Sequence, residues 1–220
     1  MTTPTVPPAS PESGSTPARS AVYAAADFVS TAALIAHAAG IPALTFVTDP
    51  DQYMPVSAAA TGHDTPLPII TLSEAVLCAD LDSYAGKVAA GALAHTLVCM
   101  HQLPTARERW AGWLSTLAFS AVLVGLLMGS PLTLALGAVG WVGAALSGLA
   151  AQRASEIAAD LYAVHLLNQA GLDGRACLLT MVNDIACGEP RAYRLFGWTL
   201  SGVPTAAARA RALSRTRPTA

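Results

Sequence analysis

Two runs of the chain, WAGWLSTLAFSAVLVGLLM (110 to 128) and LTLALGAVGWVGAALSGLA (132 to 150), have no polar face at all. Each passes nineteen residues without a charge, and only Gly129, Ser130 and Pro131 separate them. At ~1.5 Å rise per residue each run is roughly 28 Å long as a helix, close to the ~30 Å hydrocarbon core of a bilayer. So short a connection allows only a hairpin, and the pattern predicts two transmembrane helices joined at a tip. The competing reading is a helical hairpin buried inside a soluble protein, for which a chain of this length has little covering material.

Outside the hairpin, polar and apolar positions alternate with recognisable periods. Val22, Ala26, Val29, Ala33 and Ala36 recur at helical spacing until Gly40 and Pro42, which predicts a helix over 20–39. ALTFVTD (43 to 49) and PLPIITL (66 to 72) are short β-branched or aromatic runs around a turn-rich stretch, and predict two paired strands. Ser73 can cap a short helix ending near Ala79, with Glu74 in its first turn. Asp82 or Ser83 can cap a longer one running to about Gln102, ahead of Pro104. Beyond the hairpin, AQRASEIAADLYAVHLLNQAG (151 to 171) continues as a helix until Gly171. The first nineteen residues are rich in Pro, Ser and Thr, with no basic start and no apolar h-region. They are expected to form a disordered tail rather than a signal peptide. This leaves one membrane domain over 20–215 and a short tail over 216–220.

Composition agrees with the hairpin. Of 220 residues, 53% are hydrophobic and 12% charged, and the mean hydropathy is +0.47, too apolar for an ordinary soluble domain. A net charge of −2 and a pI near 6.2 give no basic field, which argues against nucleic acid as a partner and leaves the lipid bilayer as the obvious one. Arg107 and Arg109 precede the first span and Arg153 follows the second, while the tip carries no charge. By the positive-inside rule both termini lie on the cytoplasmic side of the cell membrane. Trp110 and Trp113 suit the interfacial belt, and Gly137, Gly140, Ala144 and Gly148 offer small residues for close helix packing. Cys78, Cys99, Cys177 and Cys187 form no CxxC pair and read as reduced thiols.

Candidate chemistry is concentrated in LAHTLVCMH (93 to 101) and in Glu156 and Asp160. His95 and Cys99 are four apart and share a helix face; Glu156 and Asp160 do the same one turn past the second span. His101, six residues after His95, is turned roughly 240° away and reads as a surface histidine, and His165 is near 180° from Glu156. His37 and His63 have no ligand-type neighbours in sequence and read as structural or solvated.

The order of these parts resembles the HtpX-like and CAAX-prenyl endopeptidase family of integral-membrane zinc metallopeptidases. That family carries HExxH on a first helix, ExxxD after a membrane element, and a downstream HPxxxxR segment. In ALAHTLVCMH (92 to 101), His95 matches the first zinc ligand, Thr96 stands where the family has its catalytic Glu, and Cys99 stands for the second His. Glu156 matches the third ligand and Asp160 the carboxylate supporting the site. In GVPTAAARARAL (202 to 213), Pro204, Arg209 and Leu213 match, and Val203 replaces the His. The resemblance runs from about Ser20 to Leu213. It implies a mostly α fold with a small β-sheet, a metallopeptidase-like (zincin-type) helical domain with an inserted two-helix transmembrane hairpin. It also implies zinc as cofactor, a peptide or protein partner, and a site on the cytoplasmic side with Arg209 nearby.

The replaced positions change what such a site can do. In HExxH two imidazoles hold zinc while the Glu between them takes a proton from the water that zinc activates. A threonine hydroxyl cannot serve as that base near neutral pH. A thiolate is a competent zinc ligand, with Zn–S near ~2.3 Å, but it is shorter than histidine and is expected to draw a metal towards its own helix and away from Glu156. Cys99 could equally be a small buried apolar residue, and Glu156, Asp160 and Arg209 an ion-paired group that holds helices together. Three functional classes stay open at this point. One is a catalytically impaired pseudopeptidase that binds a partner, for instance by strand addition at the edge of the 43 to 72 sheet. Another is a divergent zinc metalloendopeptidase with His95, Cys99 and Glu156 as ligands. The third is a two-span membrane protein with chance motif matches.

Overall fold

The computed structural model describes residues 17–41, 45–49, 56–59, 69–73, 76, 79–101, 105–194 and 201–215. These form a mostly helical fold with one small sheet: α1 (Pro17–Ala38), β1 (Thr45–Asp49), β2 (Val56–Ala59), β3 (Ile69–Ser73), α2 (Tyr84–His101), α3 (Ala106–Leu127), α4 (Pro131–Gln169), α5 (Gly174–Gly188) and α6 (Ala206–Arg215). α1 begins at Pro17, inside the stretch expected to be a tail. Proline fits a first helical position because its missing N–H would have no partner there. Residues 1–16 and 216–220, and His63, lie outside the described residues.

The two expected strands pair with each other, and a third strand joins them. The sheet has three strands in the order β1-β3-β2, with β1 parallel to β3 and β2 antiparallel to it. β3 is therefore central, and Ile70 and Leu72 are fully buried on one face. Ser73 closes β3. Most of the short helix expected over 73–79 lies outside the described residues.

The core of the folded domain sits between α2, α5, the second half of α4, α1 and β3. Phe28, Ile35, Ile70, Leu93, Leu97, Leu166, Leu167 and Leu178 are essentially inaccessible to solvent. Each such side chain contributes about 1.5 to 3 kcal/mol of burial free energy. Ser83 precedes α2, and its hydroxyl oxygen accepts from the Gly86 N–H at 3.1 Å. Gly91 brings α2 against α5 so closely that a Cβ there would lie 3.0 Å from the Cys177 carbonyl oxygen.

The hairpin is built differently. α3 opens with a capping box: the Glu108 N–H donates to Thr105 Oγ1 at 3.2 Å, and the Thr105 N–H donates to Glu108 Oε2 at 2.6 Å. The tip turns at Gly129 (φ 63°), where positive φ suits a residue without Cβ, and Ser130 then caps α4 with Pro131 at its first position. Near the tip the backbones almost touch. A Cβ on Gly125 would lie 2.6 Å from the Leu134 nitrogen, and one on Gly137 2.7 Å from the Val122 nitrogen. Towards the open end an added Cβ would meet side chains and no backbone, Ala118 Cβ at 3.4 Å from Gly140 and Ala111 Cβ at 3.6 Å from Gly148. The outward faces are bare, with Leu127 88% exposed and Val139 73% exposed. No described element covers them. Both α3 and α4 are long and apolar enough to cross a membrane.

Candidate functional site

α4 is one unbroken helix of 39 residues, so the apolar span and the carboxylates beyond it are rigidly connected. Its second half packs on α2, which brings Glu156 and Asp160 to His95. His95 Nε2 lies 3.2 Å from Glu156 Oε2, and His95 Nδ1 lies 2.9 Å from Asp160 Oδ1. Cys99, one turn along α2, places its Sγ 3.4 Å from His95 Nε2. Thr205 caps α6, accepting at its carbonyl from the Ala208 and Arg209 N–H groups, and the helix then directs Arg209 inwards. Arg209 grips Asp160 through two bonds, Nε to Oδ2 at 2.7 Å and Nη2 to Oδ1 at 2.6 Å. Asp160 and Arg209 are the buried charged residues of the described domain, and each is satisfied by the other.

All four charged groups lie beyond the apolar span, and each shifts in the sense its neighbours dictate. Burial alone would lower the His95 pKa, but hydrogen bonds to Asp160, Cys99 and Glu156 outweigh it and raise the value to about 11. The His95 hydrogen bond holds Glu156 below the usual carboxylate range. For Asp160 burial pushes upwards, and the Arg209 and His95 bonds overcome it and hold the carboxyl low. Arg209 is raised because Asp160 outweighs its own burial. Without a metal the set is charge-balanced, two carboxylates against an imidazolium and a guanidinium.

The same atoms fit a metal. One donor each from His95, Cys99 and Glu156 lies within 4.8 Å of the others. Ligands on one tetrahedral metal at ~2.0 to 2.3 Å sit about 3.3 to 3.7 Å apart, which the 3.2 Å and 3.4 Å separations approach. The short thiol was expected to pull a metal away from Glu156. The Glu156 carboxylate reaches His95, and all three donor atoms stay within 4.8 Å of one another. Asp160 on Nδ1 fixes the tautomer that leaves Nε2 free for coordination, an outer carboxylate arrangement common at such sites. Thr96 follows His95 on the same helix, half-buried. Pro204 is buried and Leu213 fully so, while Val203 is 47% exposed on the turn before α6.

Beside the cluster lies a cleft of about 710 Å³ that runs from Cys99 and Glu156 between α3 and α4 along Ala111, Gly112, Ser115, Ala144, Ala145 and Gly148. Glu108, Gln152 and Ser155 complete its polar end. These three were not singled out in the sequence. The TARE run at 105–108 carries the capping-box signal that fixes Glu108, but within ARER it reads as part of a basic cluster.

The remaining sequence candidates stand apart. His37 and His165 are exposed, and the His165 ring meets the Gln169 amide at 2.9 Å. His101 ends α2, with its side chain outside the description. Cys99, Cys177 and Cys187 are free thiols, and burial raises Cys177 to about 11. Comparison of the chain with protein-family models, curated proteins and solved structures finds no match.

Proposed function

We propose that this chain is a membrane-anchored, zincin-like pseudopeptidase. In this reading it sits in the cell membrane with both termini and the site on the cytoplasmic side, and acts by binding a peptide or protein partner rather than by cleaving it. One observation carries the reading: His95, Glu156, Asp160 and Arg209 converge from three helices into a complete cluster while the position after His95 holds Thr96. The supporting geometry persists and the proton acceptor does not. A missing general base costs typically ~10²-fold to 10⁴-fold in rate, so a peptidase of this kind would be close to silent.

The compact donor set favours a second reading, a divergent zinc metalloendopeptidase held by His95, Cys99 and Glu156. When bound, the metal would polarise a carbonyl and activate water. The protein's own part would be to hold the His95 tautomer through Asp160.

Zinc content and cleavage of unfolded substrates, followed across variants in detergent, separate the two. The natural chain is expected to cleave nothing measurable. Thr96→Glu alone is expected to change little, and Thr96→Glu with Cys99→His to raise zinc occupancy first and weak cleavage second. Zinc-dependent cleavage by the natural chain, abolished by Cys99→Ala or Glu156→Gln, would reverse the order of the two readings.

A further inference from the structure

We propose that the cleft between α3 and α4 is a binding site for a single-chain amphiphile with a cationic amine head, entered from the bilayer. The proposal does not rest on the neighbouring cluster holding a metal, because its head-group site is Glu108 and not the Glu156 that His95 already engages.

The cleft exists because the hairpin splays. Backbones that nearly touch at Gly125 and Gly137 have separated by Gly148, at the end nearest the folded domain. Small side chains on both walls leave the gap open, and a Cβ on Gly112 would meet nothing within 4 Å. The apolar walls belong to the runs read as membrane spans, so a tail lying there would stay at lipid depth. From Ala144 to Glu156 the wall rises roughly 18 Å along α4, which suits an extended alkyl tail with its head at the polar end. About 710 Å³ is within the size range of small-molecule sites and well short of a two-tailed lipid.

The head group follows from charge. The carboxylate of Glu108 lines the polar end with the amide of Gln152 and the hydroxyl of Ser155, no Lys, Arg or His is in the lining, and the Glu156 carboxylate at its edge is already paired with His95. One Glu108 oxygen is held by the Thr105 N–H, which fixes the carboxylate while its second oxygen remains an acceptor. In a partly desolvated groove this lining attracts an ammonium and repels a carboxylate or phosphate.

The test uses the full chain in phosphatidylcholine nanodiscs with a photoreactive dodecylamine, cross-links being mapped by peptide mass spectrometry. Cross-links are expected to concentrate in 108–115 and 144–156, and to be displaced by plain dodecylamine about tenfold more effectively than by laurate. Glu108→Gln keeps the cap, since glutamine serves in a capping box, and should weaken the amine about tenfold. Gly112→Leu should fill the cleft and abolish site labelling. Gly143→Leu, equally open but lining another groove, should leave labelling unchanged. Even labelling over all lipid-facing residues, equal displacement by laurate, or full labelling of Gly112→Leu would each overturn the proposal.

Discussion

The two halves of α4 are one helix in two surroundings. From Leu132 to Leu146 its large apolar side chains face outwards, Leu132 at 70% and Leu136 at 66% exposed. From Ala159 to Leu167 it buries Ala159, Ala163, Leu166 and Leu167, at the i, i+4, i+7 and i+8 spacing of a core-facing stripe. The first half holds its partner by backbone approach at glycines, the second by side-chain packing around a paired Asp160. In lipid there is no hydrophobic gain in hiding leucine, so small residues pack helices together; in water the leucines themselves must be covered. The site lies just past this change in surface along α4, where the polar cluster and the apolar cleft share Glu156.

The sharpest way to break this contrast is through the buried charges of the second half. Asp160→Ala strands Arg209, 5% exposed, without its carboxylate, and should cost ~3 to 5 kcal/mol. The double change Asp160→Leu with Arg209→Met removes both charges, and is expected to cost much less than the single one. Thermal unfolding of the detergent-solubilised protein measures both. A single change that leaves the Tm unmoved would mean that the cluster does not hold α6 to α4.

A smaller effect probes the first half. Leu136 and Tyr162 are both exposed on α4, at 66% and 52%. Leu136→Arg, about one turn from the tip, should raise the cost of membrane insertion by somewhat less than the ~2.5 to 3.5 kcal/mol of a mid-span charge, and Tyr162→Arg should lie within about 0.5 kcal/mol of neutral. Carbonate-resistant membrane association reports the difference. Equal tolerance of the two substitutions would place the hairpin outside lipid.

What the sequence made legible follows the same division. The hairpin, its tip and the continuation of α4 were readable because nineteen uncharged residues and a Gly-Ser-Pro break are local signals. His95, Cys99, Glu156 and Asp160 were readable as pairs four apart, and Arg209 through its downstream segment. β2 was not readable, since VSAA has neither alternation nor bulk and exists only because β3 pairs with it. The parallel pairing of β1 with β3 is likewise a non-local choice. The cleft was invisible for a different reason: it arises from the angle between two helices, and single positions such as Gly112 carry no mark of which side opens.

The last and smallest effect concerns pH, and it tests whether the domain half is held by the cluster in its metal-free state. His95 in the folded chain lies above its ordinary value of 6.5, at about 11, so its contribution is complete below pH 6.5 and is lost progressively as pH climbs towards 11. Glu156 and Asp160 are lowered, so theirs is present above the ordinary carboxylate range and is lost only in acid. Between about pH 7 and pH 9 the carboxylates therefore stay constant and His95 alone of these groups changes. The stability difference between the natural chain and His95→Gln, measured with a chelator present, should shrink by at most ~1.4 kcal/mol per pH unit over that window. Groups titrating elsewhere are common to both chains and largely cancel. A difference that stays flat, or grows with pH, would mean that His95 is neutral in the folded chain. Its Nε2 would then be free for a metal without displacing a proton, favouring the zinc-bound reading of the site over the ion-paired one.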